Sequence, residues 1–283
     1  MKLTLLGTGT PRPSVHRNCT ANLLQIGDAH IIIDAGRGVV TQLANIGVDP
    51  NAIDVIFITH HHFDHIGNLA DLLLAGWNNG RAREVRVYGP EGTAAIIDAF
   101  WSVIYARDIA FRLKETEFLD EVLPDIRTQV VVRDIAVGEV VKGADWQVQA
   151  FQVEHGHALD MTHEEWPCYG YRIEGEGRVL GISGDTVDCA GVRALAEGAD
   201  LLVQCCYLAE AAVDCKDLRI LVDHVLASAR QAGEIAQAAR AKRMVLTHLA
   251  PQDTAALQVV LNEAQAGYDG EVTLGADLMA FDV

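Results

Sequence analysis

The chain has 283 residues, half of them hydrophobic, which is enough to bury a large core. Acidic residues outnumber basic ones by 39 to 22, giving a formal charge of −17, the opposite of the balance a nucleic-acid surface normally carries. No uninterrupted apolar run approaches the ~18 residues of a membrane span, so no transmembrane helix is expected. The six cysteines contain no CxxC pair, which argues against a disulfide framework.

The first residues, Met1–Leu6, read as a strand rather than a signal peptide, because the apolar run stops at Gly7-Thr8-Gly9-Thr10. Leu3–Leu6, Asn22–Ile26 and His30–Ile33 predict an opening meander, closed by Asp34-Ala35-Gly36. Val39–Ile46 has helical spacing, Val55–Ile58 is an apolar strand, and Leu69–Ala75 a short helix. Val85–Tyr88 is a strand ended by Gly89-Pro90, and one long helix is predicted from Thr93 to Ile109. Several strands follow in Thr128–Val153 and Tyr169–Ile182, then a buried strand at Leu201–Gln204. Ala227–Ala241 is an alanine-rich helix, Met244–Leu246 a strand, Thr254–Ala264 a helix, and Val272–Phe281 returns to strand character. No low-complexity linker divides the chain, so residues 1–283 read as one domain. Cys205-Cys206 read as two small apolar residues at the end of a buried strand, and the unpaired cysteines suggest a cytoplasmic setting.

Two of the apolar strands end alike, in Ile58-Thr59-His60 and Leu246-Thr247-His248, and Gly181–Asp185 ends in an acid. In open α/β sheets such strand ends share one edge, where ligands bind. The run His60-x-His62-x-Asp64-His65 places four ligand-type groups within six residues at one of these ends. A catalytic zinc needs imidazole and carboxylate ligands with one position left open. Alternate residues of a tight loop face the same way, so His60 and His62 share one ion. Asp64 and His65, displaced around the turn, reach a second, and His61 is expected to point away.

This run resembles the HxHxDH signature of the metallo-β-lactamase superfamily. Other segments resemble its ribonuclease Z-like branch in order: Gly7-Thr8-Gly9-Thr10-Pro11, Ile33-Asp34-Ala35-Gly36, Val153-Glu154-His155-Gly156, Tyr169-Gly170-Tyr171-Arg172, Ser183-Gly184-Asp185-Thr186 and Leu246-Thr247-His248. The resemblance implies an α/β fold, a four-layer αββα sandwich of two mixed β-sheets packed face to face with helices outside. It implies that His60, His62 and His155 bind one zinc ion, that Asp64, His65 and His248 bind a second, and that Asp185 bridges them. His155 is preferred over His157 in the same loop, and His163 is read as a structural or surface histidine. Manganese or iron suits the same ligands.

Two ions of this kind hold a bridging water and lower its pKa toward neutrality, so hydroxide is the expected nucleophile. No Gly-x-Ser-x-Gly elbow offers a residue-borne alternative. By resemblance His224, ahead of the alanine-rich helix, contacts the anionic substrate oxygens or assists the leaving group; with Asp64 it makes up the expected catalytic pair. Adding His224 to the ligands would close the position needed for substrate.

Relatives in the ribonuclease Z branch often carry Glu-Ala-Thr where this chain has Gln204-Cys205-Cys206-Tyr207, and no basic arm for tRNA is evident. The segments Asp71–Trp77 and Val87–Thr93 resemble the arylsulfatase-like group of the branch. The expected function is therefore hydrolysis of small-molecule esters of the aryl sulfate, phosphodiester or phosphotriester type. A tRNA 3′-end endonuclease and a lactonase are the alternatives, and a redox or binding protein on the same scaffold is a third class. Nucleic acid is an unlikely partner on this reading, no membrane is involved, and a homodimer is expected from the resemblance.

Overall fold

Residues 1–283 are described by a computed structural model containing fourteen strands. In chain order they are β1 (Lys2–Gly7), β2 (Ala21–Ile26), β3 (Ala29–Ala35), β4 (Val55–Phe57), β5 (Val85–Gly89), β6 (Val130–Asp134), β7 (Val140–Lys142), β8 (Trp146–Gln152), β9 (Tyr169–Gly175), β10 (Arg178–Ile182), β11 (Leu201–Cys205), β12 (Arg243–Thr247), β13 (Glu271–Leu274) and β14 (Ala280–Asp282). They form two seven-stranded sheets, in the orders β14-β1-β2-β3-β4-β5-β6 and β13-β12-β11-β10-β9-β8-β7. The sheets share one plan. In the first, β14, β1, β2 and β3 are antiparallel and β3 to β6 are parallel. In the second, β7 to β10 are antiparallel and β10 to β13 are parallel.

Strand periodicity explains the layering. Successive side chains of a strand point to opposite faces, so a strand covered on both sides is apolar at every position. Ile31 and Ile33 of β3, Val55 and Phe57 of β4, Leu201 and Val203 of β11 and Val245 of β12 all enter one core between the sheets. The intervening Ile32 and Ile56 face a second core, with Leu72, Trp77 and Trp101 under the N-terminal helices. Leu202, Met244 and Leu246 face a third, with Leu195, Ile235 and Val260 under the C-terminal helices. Three cores between four layers give the expected αββα sandwich. No helix is long and apolar enough to cross a membrane.

Two expectations change. The helix predicted over Thr93–Ile109 is broken: Thr93–Ala99 is α-helical, Phe100–Ile104 forms a π-turn with Tyr105 N–H donating to the Phe100 carbonyl at 2.8 Å, and a new helix runs over Ala106–Phe118. The inserted residue rotates the apolar stripe, so Ile97, Trp101 and Ile109 are buried while Val103, Ile104 and Phe111 face outward. The predicted tail strand splits as well. β13 closes one sheet and β14 the other, separated by a turn in which Leu278 N–H donates to the Leu5 carbonyl. Short helices at Ala190–Ala196 and Lys216–His224 carry no strong sequence signal and were not expected.

Candidate metal centre

The expected strand ends do converge. β4 leads into Thr59–His65, β8 into the His155 loop, β10 into Asp185, and β12 into His248. His60, His62, His155 and Asp185 have ligand atoms within 4.8 Å of one another, as do Asp64, His65 and His248. Asp185 joins the groups: its Oδ2 lies 3.1 Å from His248 Nε2, 3.4 Å from His65 Nε2, 3.9 Å from His155 Nε2 and 4.0 Å from His60 Nε2.

Three neutral-side contacts aim the imidazoles inward. His65 Nδ1 meets Asp34 Oδ2 at 2.8 Å, His155 Nδ1 meets the Val225 carbonyl at 2.7 Å, and His60 Nδ1 meets the Thr59 hydroxyl at 3.0 Å. The partners are acceptors, or a hydroxyl already donating to Asp34 at 2.8 Å, so each Nδ1 carries the proton and each Nε2 presents a lone pair. Those lone pairs then converge. His62 Nδ1 lies 3.0 Å from His60 Nε2 and 3.1 Å from His155 Nε2. His65 Nε2 and Asp64 Oδ1 are buried with no hydrogen-bond partner. Converging buried lone pairs repel unless a cation lies among them, and a histidine whose far N–H is fixed by a carboxylate or carbonyl is the usual form of a metal ligand. The donor set, imidazoles with carboxylates, fits zinc-class ions.

The electrostatics agree for His60 and His155. Burial pushes the His60 imidazole well below its ordinary value and takes His155 down to about 4, so both stay neutral, as ligation requires. His65 goes the other way: burial opposes protonation, but Asp185 and Asp34 hold it well above the ordinary value. Burial works against ionising Asp185, yet His248 and His65 keep its carboxyl well below the usual range. A centre with buried carboxylates on both sides of His65 demands positive charge.

The backbone is bent to suit. Asp34 and His248 sit in the left-handed region, at φ 63° and 56°, although neither is glycine. Such residues cost roughly 1–3 kcal/mol each and persist where surrounding bonds fix them. His248 is flanked by Cys206 N–H donating to Thr247 and Leu249 N–H donating to Thr8. Gly36 has a different reason to be glycine: a Cβ there would stand 2.2 Å from the Asp64 carbonyl.

His61 points away, as expected, with its Nε2 2.9 Å from the Thr93 hydroxyl. His157 and His163 lie outside the centre, in a separate group with Glu154. His224 needs correction in its setting. It ends the helix Lys216–His224, and the alanine-rich helix begins only at Ala229, where the Ser228–Gln231 capping box occupies the N-terminus. Ala229 N–H is also taken, by the Leu208 carbonyl, so most donors of that helix end are already used. His224 itself is tied to the centre through the main chain: its carbonyl accepts from Gly156 N–H at 2.9 Å, next to the Val225 carbonyl that holds His155. Its half-buried side chain makes no hydrogen bond.

Two site residues escaped the sequence reading. Asp34 orients both His65 and Thr59, and its signal was the Asp-x-Gly run. Trp166 lies against the His62 ring, centroids 4.6 Å apart, and had no signal. Cys205 and Cys206 are free, buried side chains, with burial raising the Cys205 thiol to about 12, as a packing role requires.

The family profile of the Beta-lactamase superfamily domain matches residues 29–249. A ribonuclease Z of Mycolicibacterium gilvum (strain PYR-GCK) is 30% identical, over 98% of this chain and 94% of its own. The crystal structure of the short form of human tRNase Z is 26% identical, with a TM-score of 0.68, covering 100% of this chain and 99% of that one. The metallo-β-lactamase fold protein YhfI from Bacillus subtilis superposes with a TM-score of 0.75 at 19% identity, covering 99% and 98%.

Proposed function

Since the chain belongs to the metallo-β-lactamase superfamily of metal-dependent ester hydrolases, in its ribonuclease Z-like branch, we propose that it is a two-metal phosphodiesterase that trims the 3′ end of precursor tRNA. The observation that carries this is Asp185 standing between two histidine groups, in a chain similar along its whole length to proteins named ribonuclease Z. In this proposal His60, His62 and His155 would hold one ion and Asp64, His65 and His248 the other, with Asp185 shared between the two sets. The ions, when bound, lower the pKa of a water and polarise a phosphoryl oxygen.

The chain's own groups do the rest. Asp34, Thr59 and Val225 keep the imidazole lone pairs turned inward. Trp166 walls one side against solvent. His224 donates a proton to, or stabilises charge on, the leaving oxygen, and is not a metal ligand. Both halves contribute ligands, so residues 1–283 act as one domain.

The relatives' name runs against the expectation that nucleic acid is an unlikely partner. Net charge is a poor guide here, because exposed charges are screened beyond ~8–10 Å. Locally, exposed Arg12 and Arg37 stand on the loops that carry Thr10 and Gly36, and the Arg12 guanidinium lies 5.9 Å from the Tyr207 ring centre. A second reading, small aryl sulfate or phosphate esters, is favoured by Gln204-Cys205-Cys206, which stands where relatives of the branch often carry Glu-Ala-Thr. A cytoplasmic homodimer belongs to the same proposal, with exposed Val103, Ile104 and Phe111 covered by a second copy. Light scattering giving a monomer removes the dimer. Zinc-loaded protein should cleave precursor tRNA at its 3′ end, faster than bis-p-nitrophenyl phosphate or p-nitrophenyl sulfate. Uncut tRNA beside a hydrolysed sulfate or small phosphodiester replaces the first reading with the second.

A further inference from the structure

A second cluster of ligand-type side chains stands outside the centre. Glu154, His157 and His163 have ligand atoms within 4.8 Å of one another, on the loop that begins beside His155 and ends at Trp166. Glu154 Oε2 lies 3.4 Å from His157 Nδ1, and Oε1 lies 3.3 Å from His163 Nε2. A zinc ion with ~2.0–2.1 Å bonds and tetrahedral angles separates its ligand atoms by about 3.3–3.4 Å.

A hydrogen bond does not account for the approach of His157 to Glu154. His157 Nε2 meets the Trp166 carbonyl at 2.8 Å and so carries the hydrogen, which leaves Nδ1 as an acceptor. That acceptor faces the Glu154 carboxylate, also an acceptor, and takes a bond from the His155 backbone N–H at 3.0 Å. The His157 and His163 rings lie 3.9 Å apart, and His163 Nδ1 is buried without a partner. The His157 side chain is only 6% exposed. Glu154 forms no hydrogen bond with either ring, although all three side chains are held together. Its own main chain is pinned by Thr186 and Val187.

We propose that Glu154, His157 and His163 form a third metal site, separate from the central pair, which takes one zinc-class divalent ion and fastens the loop carrying Trp166. Two imidazoles and a carboxylate with a fourth position for water are a zinc-type donor set. The Trp166 carbonyl supplies the acceptor that fixes the far side of a ligating histidine. An ion here takes the Nδ1 lone pair from the His155 N–H, so the site binds more weakly than the centre and fills last. The inference does not depend on which ester the centre cuts.

The test is zinc per chain at saturating free zinc, measured on the wild type, His163→Ala and Glu154→Gln. Each variant should hold one zinc fewer than the wild type and keep both central ions, because neither residue belongs to the central ligands. Equal zinc counts in all three proteins overturn the proposal. Loss of every ion together with activity also overturns it, since the cluster would then support the centre rather than hold an ion of its own.

Discussion

The two halves of the molecule build the metal centre in different ways. The N-terminal half offers four ligand-type groups from His60 to His65, in one loop after β4. The C-terminal half offers three, His155, Asp185 and His248, each after a different strand. The first set is fixed mainly by neighbours within its own sheet: Asp34 at the end of β3 holds Thr59 and His65, and Gly36 lets the Asp64 carbonyl approach. The second set is fixed at long range. His155 leans on a carbonyl 70 residues away, and the left-handed His248 stands between Thr247, which accepts from Cys206, and Leu249, which donates to Thr8. The compact set is therefore open to change at Asp34 and Gly36, and the scattered set to change at Thr8, Cys206 and Val225.

The sharpest way to break the comparison is at the residue that joins the halves. Asp185→Asn removes a carboxylate within 4.0 Å of four histidines, so it should reduce turnover by roughly a thousandfold or more, the upper range for losing a group that stabilises developing charge. Metal analysis of the same variant should show fewer ions per chain. Full metal content with full activity would remove Asp185 from its bridging role.

His224→Ala should keep its metal and near-native stability while kcat falls by roughly a hundredfold. The loss should be smaller for p-nitrophenyl substrates, whose leaving group needs little protonation. Equal losses for good and poor leaving groups favour a charge-stabilising role, and loss of one ion would make His224 a ligand.

The difference between the halves also explains what the sequence made legible. Four ligand groups within six residues declare themselves, because one loop must present them together. Asp185 and His248 were visible as strand ends, but their pairing with His155 and with particular ligands came through the order of motifs along a resembling family, since nothing near Asp185 says that His65 will lie 3.4 Å away. Asp34 was visible as part of a turn but not as the acceptor for His65, 31 residues on. Trp166 was invisible, because ring packing on His62 depends on a loop path that no local pattern encodes. The fold class followed from the family resemblance, while strand alternation and buried apolar runs supplied only the individual elements. The π-turn at Phe100–Ile104 did not, because it preserves a helix-like composition while shifting its phase.

Two smaller effects probe the N-terminal knot. Asp34→Asn keeps the shape but weakens the acceptor for His65, so affinity for one metal ion should fall by about 10–100-fold, measured by competition with a chromophoric chelator. Unchanged affinity would make Asp34 a folding residue only. Gly36→Ala places a methyl group against the Asp64 carbonyl and should destabilise the chain by roughly 1–3 kcal/mol, read as a lower Tm in the metal-loaded protein. An unchanged Tm would show that the loop yields more easily than its packing implies.

The most direct test of the two-metal account is anomalous diffraction at the zinc edge from crystals of protein purified without chelator. The account predicts two central peaks about 3.5–4 Å apart. One should be bound by His60, His62 and His155, the other by Asp64, His65 and His248, with Asp185 touching both. A single central ion in fully active protein, or two ions held by a set that includes His224 in place of any of these ligands, would contradict it.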